Sequence, residues 1–244
     1  ICIMGSMPPG CADSTYAEIY ERISGPDTLC EIDSVAGLEP LFKAMADKEE
    51  RGQIIFKVNA SELCKLAGVK KSNNEVDGIS REELLAAISG FLARYSPDAV
   101  QALTAIAVTD GRHPAHLAIF EDEKVFHMYK VPVSSLPTDR ILFPIGAGDA
   151  VAAGTLAAWQ CLVQTTKGGS ACLSSELQAA LQSHIEGIEA AKDPTAASLL
   201  TALSFGLACG SASCLEEENS VLQSSEVLNL FGKGKPALLS SYPI

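Results

Sequence analysis

The chain has 244 residues, with 30 Asp plus Glu against 18 Lys plus Arg and a formal net charge of −12. Hydrophobic residues make up 47% and charged residues 20%, which excludes a disordered chain and supplies enough apolar surface for a substantial core. The acidic excess, with no run of Lys or Arg to offset it, excludes a nucleic-acid binder, because a phosphate backbone is gripped by clustered cations.

Short apolar runs alternate with helical patterns, which predicts α/β architecture with a mostly parallel sheet in a single domain over 1–244. Ile1–Met4 reads as a strand, and an apolar run already under way at the first residue points to a preceding segment. After the turn Gly5–Gly10, Asp13 is placed to cap a helix carrying Tyr16, Ile19, Tyr20 and Ile23, which stops at Gly25-Pro26. Leu29–Ile32 is a strand, Leu38–Met45 a helix and Gln53–Lys57 the next strand. Ser61–Leu66 is a short helix closed by Gly68. Ser80 with Glu83 forms a capping box ahead of the apolar face Leu84, Leu85, Ile88, Phe91 and Leu92, and Pro97 ends that helix.

Leu103–Thr109 is a strand ending in Asp110-Gly111, and His116–Phe120 with Lys124–Tyr129 alternates as an antiparallel hairpin about Glu121-Asp122-Glu123. Gly146-Ala147-Gly148-Asp149 opens a long helix to about Val163. A polar break over Thr165–Ser170 precedes a helix with Leu177, Leu181, Ile185 and Ile188 on one face. An uncharged helix after Pro194 and a short one around Val227–Phe231 finish the pattern.

Several features carry no chemistry. None of the eight cysteines forms Cys-x-x-Cys and most lie in apolar stretches, which predicts buried thiols in a reducing, intracellular compartment. Cys209 and Cys214, and likewise His113 and His116, lack the spacing and partners of a zinc site. Ala196–Leu215 is uncharged and long enough to span a bilayer, but its serines, the Asp193-Pro194 start and the absence of basic flanks make it a core helix. Ile1–Met4 is too short for a signal core, so no membrane or export signal is expected.

The most specific local signal is Pro144-Ile145-Gly146-Ala147-Gly148-Asp149. Two glycines at a helix start let successive N–H groups converge on an anion, and the helix dipole adds partial positive charge there. Asp149 in the first turn can take a proton from a hydroxyl, so the pattern suits phosphoryl transfer to an alcohol. A dinucleotide fingerprint is excluded by Val151 at its third glycine position, and no Walker lysine follows. A structural glycine turn with a capping Asp remains open on local grounds.

Gly5-Ser6-Met7-Pro8-Pro9-Gly10, Lys57-Val58-Asn59-Ala60-Ser61-Glu62-Leu63, Val108-Thr109-Asp110-Gly111 and Gly146-Ala147-Gly148-Asp149 stand in the order and spacing of the ribokinase-like, PfkB-type carbohydrate kinases. The first motif looks most like the phosphosugar branch, which includes 1-phosphofructokinase and tagatose-6-phosphate kinase. The resemblance covers most of Ile1–Asn59, Ala105–Ala158 and Ser204–Leu230, and is weak over Val69–Tyr95 and Gln160–Lys192. It implies a three-layer αβα sandwich lacking the N-terminal strands and lid, which hold most sugar-binding residues. It further implies ATP and Mg²⁺, a possible monovalent cation and a sugar or sugar-phosphate substrate, with a homo-oligomer or larger complex possible and the oligomeric state left open. By the same resemblance Asp149 is the catalytic base, and the amides of Gly146, Ala147 and Gly148 form the anion hole. Asn59 and Glu62 organise magnesium and phosphate, Lys57 reaches the nucleotide phosphates, and Thr109 and Gly111 contact ATP. From the residues alone, Asn59 reads as a turn residue and Glu62 as a solvated helix carboxylate.

Three departures accompany the resemblance. Phe143-Pro144 stands where the family usually has Asp or Asn followed by Thr or Pro, so an aromatic replaces a polar group before the glycine turn, Pro114 replaces a common glycine, and Glu216-Glu217-Glu218-Asn219 stands where the family tends toward a short loop ending in Gly-Thr. They keep a second reading open, a catalytically inactive structural or partner-binding relative, beside a third, a nucleoside or vitamin kinase.

Overall fold

The alternating apolar runs fold as consecutive βαβ units. The computed structural model describes residues 1–71, 78–95, 100, 102–121, 125–166, 173–189, 191–218 and 221–244. Strands β1 (Cys2–Met4), β2 (Leu29–Asp33), β3 (Gln53–Asn59) and β4 (Ala105–Asp110) pair in parallel in chain order. β5 (His113–Phe120) returns antiparallel to β4, and β6 (Val125–Val131) and β7 (Ala237–Pro243) complete a seven-stranded sheet in the order β1 to β7. One line of register runs Cys2, Glu31, Ile55, Ala105, Ile119 across the first five strands. This is an α/β fold with a mainly parallel sheet core, as the alternation predicts.

The chain gathers into two compact units, Ile1–Met128 with Ser240–Ile244, and Tyr129–Leu239. In the first, α1 (Thr15–Ile23), α2 (Leu38–Ala46), α3 (Ala60–Ala67) and α4 (Arg81–Arg94) connect the strands. Each crossover between parallel neighbours steps the same way along the sheet, so right-handed connections bring these helices to one face. Phe42 of α2, Phe56 of β3 and Phe91 of α4 interlock there, with ring centroids 5.2–6.0 Å apart. The capping box of Ser80 and Glu83 closes the start of α4, and Gly68 ends α3 in the left-handed region. Leu84, Ile88, Phe91 and Leu92 are buried as their spacing predicts, while Leu85 lies at the flank, half-buried.

In the second unit, α5 (Ala147–Thr166), α6 (Ser175–Glu186), α7 (Pro194–Ser213) and α8 (Ser224–Leu230) bring the α-helices among the described residues to eight. α7 begins as its sequence predicts, with Asp193 Oδ1 accepting from the Ala196 amide at 2.8 Å and proline at the first helical position. It is buried from Leu199 to Ser213, a helix apolar on every side that serves as core. A methyl group on Gly210 would sit 2.8 Å from the Ala147 carbonyl oxygen, and one on Gly154 would meet Cys209 Sγ at 2.7 Å. Small residues therefore let the α5 and α7 backbones approach closely and fix the first turn of α5.

Four expectations need correction. The N-cap of α1 is Ser14, one residue beyond Asp13, and no side chain caps the helix; the Ser14 hydroxyl donates to Glu18 instead. Half of that helix's apolar stripe, Ile19 and Ile23, faces solvent. Ile188 lies past the end of α6, which stops at Glu186 because Gly187 takes the C-cap. β7 has no counterpart in the sequence pattern, since Ala237–Pro243 neither alternates strictly nor lacks proline. Pro97, the turn residues Asp122 and Glu123, most of the polar break after Thr165, Cys172 and Asn219 lie outside the described residues. No disulfide joins the described cysteines.

Candidate functional site

At the start of α5 the chain turns through Gly146, whose φ of +84° is left-handed and suits only glycine without strain. The Ala147 amide donates to the Pro144 carbonyl at 3.3 Å, and the Ala150 amide makes the first helical bond to Gly146 at 2.9 Å. Among the described residues the amides of Gly146, Gly148 and Asp149 have no acceptor, as the first turn of a helix requires. Gly148 and Asp149 are exposed. Of the three amides in the expected anion hole, the Ala147 amide is thus already engaged, while those of Gly146 and Gly148 have no acceptor among the described residues.

The approach to this turn is held from α7. The amides of Leu142 and Phe143 donate to the Cys214 carbonyl at 2.8 and 3.3 Å. Phe143, where the resembled kinases carry a polar residue, is half-buried and works through its backbone. Ile141, Leu142 and Ile145 expose apolar surface beside the turn. Glu217 and Glu218 beyond α7 are exposed, with Glu216 half-buried, so this cluster is a solvated one.

In the other unit, Lys57, Asn59 and Glu62 follow one another from β3 into α3. Asn59 and Glu62 cap the helix reciprocally: Asn59 Oδ1 accepts from the Glu62 amide at 2.9 Å, and Glu62 Oε2 accepts from the Asn59 amide at 3.2 Å. Thr109 pairs with Asn59 across the neighbouring strand ends, and Gly111, at φ +60°, makes the exposed turn from β4 into β5. The carboxylate between them, Asp110, ties the loop down by accepting from Lys71 Nζ at 2.5 Å and from the Ile79 amide at 2.6 Å.

Lys57 is not a free cation. It is 4% exposed, and its Nζ lies 2.8 Å from Asp33 Oδ2 on β2. Two residues before Asp33 on the same sheet face, Glu31 is fully buried, and neither carboxylate oxygen has a hydrogen-bond partner among the described residues. Burial pushes the Glu31 carboxyl up to about 8, against the pull of Lys57 and with the push of Asp33. Sequence reasoning missed both acids. They sit in a short apolar strand, and only the register of β2 against β3 brings them beside Lys57. No group of three or more described His, Cys, Asp or Glu residues is arranged to hold a metal ion.

No protein-family model matches the chain, and no curated protein matches it by sequence. Solved structures do resemble it. Phosphofructokinase-2 from Escherichia coli, crystallised with potassium, aligns over 94% of this chain and 55% of its own, with a TM-score of 0.56 and 16% identity. Fructokinase from Xylella fastidiosa with bound ATP aligns over 90% of this chain and 59% of its own, with a TM-score of 0.47 and 16% identity. This chain therefore spans little more than half the length of either. Together with the mainly parallel sheet, the first of these likenesses shows that the chain carries a ribokinase-like α/β fold, shared with that phosphofructokinase-2.

Proposed function

We propose that the chain is the nucleotide-binding and catalytic-base portion of an ATP-dependent kinase that phosphorylates a hydroxyl of a sugar or sugar phosphate. The observation that carries this reading is the open turn at Gly146–Asp149. A left-handed glycine, amides without an acceptor among the described residues and an exposed Asp149 stand together at the start of a twenty-residue helix. Amides of Gly146 and Gly148 would hold the transferring phosphoryl oxygens, helped by the helix dipole. Asp149 would take the proton from the acceptor hydroxyl as the oxygen attacks in line. Apolar surface at Ile141, Leu142 and Ile145 offers a nucleoside somewhere to rest beside its phosphates.

Mg²⁺, when bound with the nucleotide, neutralises phosphate charge. Glu62 is the residue suited to hold it, because the helix cap occupies one carboxylate oxygen and leaves the second, and magnesium needs only one or two carboxylates plus phosphates. Asn59 orients Glu62 through the cap, and Thr109 and Gly111 line the adjacent strand end for ATP. Lys57 contributes by fixing Asp33 and the end of β3, not as a mobile phosphate clamp.

The test is Asp149→Asn in the intact protein. Phosphoryl transfer should fall about 10²–10⁴-fold, the range for losing a positioned general base, with Mg-ATP affinity unchanged. Retained turnover removes Asp149 from its role. The engaged Lys57 and the self-satisfied Asn59–Glu62 pair favour one rival, a catalytically inactive structural or partner-binding subunit. Calorimetric titration with Mg-ATP separates the two: no heat at millimolar nucleotide selects the inactive relative.

A further inference from the structure

Away from the glycine turn, three side chains of the unit containing β4 and β5 form a second chemical arrangement that the kinase reading does not use. His127 on β6 is 7% exposed and bonded at both ring nitrogens. Its Nε2 lies 2.7 Å from Glu121 Oε2, and its Nδ1 lies 2.7 Å from Ser241 Oγ on β7. A carboxylate only accepts, so Nε2 carries the proton and donates to Glu121. In the neutral form with that proton on Nε2, the ring presents a lone pair at Nδ1 to which the Ser241 hydroxyl can donate. The tautomer follows from the partners.

The neighbouring residues hold this geometry from the opposite sheet face. Tyr242 stacks on Phe126, with centroids 5.4 Å apart and planes 30° apart, and its hydroxyl accepts from Arg81 Nε at 2.7 Å. Since side chains alternate along a strand, Tyr242 and Phe126 pin one face while Ser241 and His127 meet on the other. A buried base oriented by a carboxylate, with an exposed hydroxyl donating to it, is the arrangement that activates a nucleophile.

We propose that Ser241 is such a nucleophile, and that the chain cleaves small esters with good leaving groups, such as aryl esters. Ser241 Oγ bonds to the ester carbonyl carbon as its proton passes to His127 Nδ1. The bond from carbon to the leaving oxygen then breaks, and His127 returns the proton to that oxygen. Water repeats the sequence on the acyl-serine, releasing the acid and restoring the hydroxyl, so one ester and one water give one acid and one phenol. The exposed position of Ser241 admits small substrates and makes nucleophile activation the source of the rate. Glu121 touches no substrate and is a positioning residue.

The test is a fluorophosphonate reacting with the full chain, with the adduct mapped by mass spectrometry and the rate followed against reagent concentration. A single adduct on Ser241, forming about 10²-fold faster than on other exposed serines, is expected. Acetyl transfer from p-nitrophenyl acetate should mark the same residue, and Ser241→Ala should lose both. His127→Asn should lower the maximal inactivation rate about 100-fold without changing the half-saturating reagent concentration. Glu121→Gln should lower that maximal rate by a smaller factor, again with half-saturation unchanged, which loss of a merely structural contact would not do. Adducts spread evenly over the serines, modification of lysines alone, or an unaltered rate in His127→Asn overturns the proposal. Adduct mapping on the unmodified chain decides the matter even if His127→Asn fails to fold.

Discussion

The two sets of residues proposed to serve the nucleotide are built on opposite terms. Around β3 and α3 polar groups are satisfied within the protein: Lys57 by Asp33, and Asn59 and Glu62 by each other. At the start of α5 the amides of Gly146, Gly148 and Asp149 have no acceptor among the described residues, and Asp149 is exposed. A backbone that spends its donors internally gains stability and offers little to a ligand. One that leaves them open keeps electrostatic work in reserve for an anion. The first region is therefore expected to govern folding and the second phosphoryl transfer, and substitutions can set the two apart.

The largest stability effect belongs to Lys57→Met. Deleting one partner of a buried pair leaves Asp33 with an uncompensated charge, at a cost of about 3–5 kcal/mol in denaturant unfolding. Adding Asp33→Asn should recover part of that loss, because the two positions are directly coupled. If Lys57→Met unfolds at the wild-type midpoint, the pair is not holding β2 to β3 and the contrast between the regions fails.

Glu31→Gln should act in the opposite direction. With its carboxyl pushed up to about 8 by burial, the native state keeps a proton that the unfolded chain has already released above its ordinary value of 4.5. Stability therefore falls as pH rises between these two values and levels off above the upper one. Glutamine removes that slope, so the variant should be more stable at pH 8 by on the order of 4 kcal/mol and nearly equal to wild type below pH 4.5. Parallel pH profiles for the two proteins would mean that Glu31 is reached by water.

These acids also mark the limit of what the sequence reveals. The Ser80–Glu83 box, the Asp193-Pro194 start of α7 and the Gly146 turn are local, since each needs only residues within one helical turn, and all three are legible. Asp33 and Glu31 acquire their meaning from a strand more than twenty residues away, through a register that no short window contains. α1 begins one residue later than Asp13 suggests, at an N-cap position, Ser14, whose hydroxyl bonds Glu18 rather than the helix backbone, and a shift of one residue at a helix start is below what a sequence pattern fixes. Asn59 and Glu62 are legible as a pair, but the spacing that suits a ligand set also suits a capping box, and both readings lie in the same four residues.

Gly146→Ala tests the open turn directly. Alanine at φ +84° costs about 1–2 kcal/mol, a smaller stability effect than either change on β2 or β3. The same substitution re-aims the amides that follow, so Mg-ATP affinity should fall with it. Unchanged nucleotide binding in a destabilised variant would make the turn structural.

The smallest effect is the most discriminating. Asn59→Ala removes the cap of α3 at a cost of about 1 kcal/mol, and Asn59→Ser, whose hydroxyl can accept from the Glu62 amide, should restore it. If Asn59 also helps to present Glu62 to magnesium, the serine variant regains stability while phosphoryl transfer stays depressed, because a shorter side chain caps the helix without reproducing the amide. Unfolding midpoints and transfer rates measured on the same preparations separate the roles: a serine variant that recovers both quantities makes Asn59 a helix cap alone.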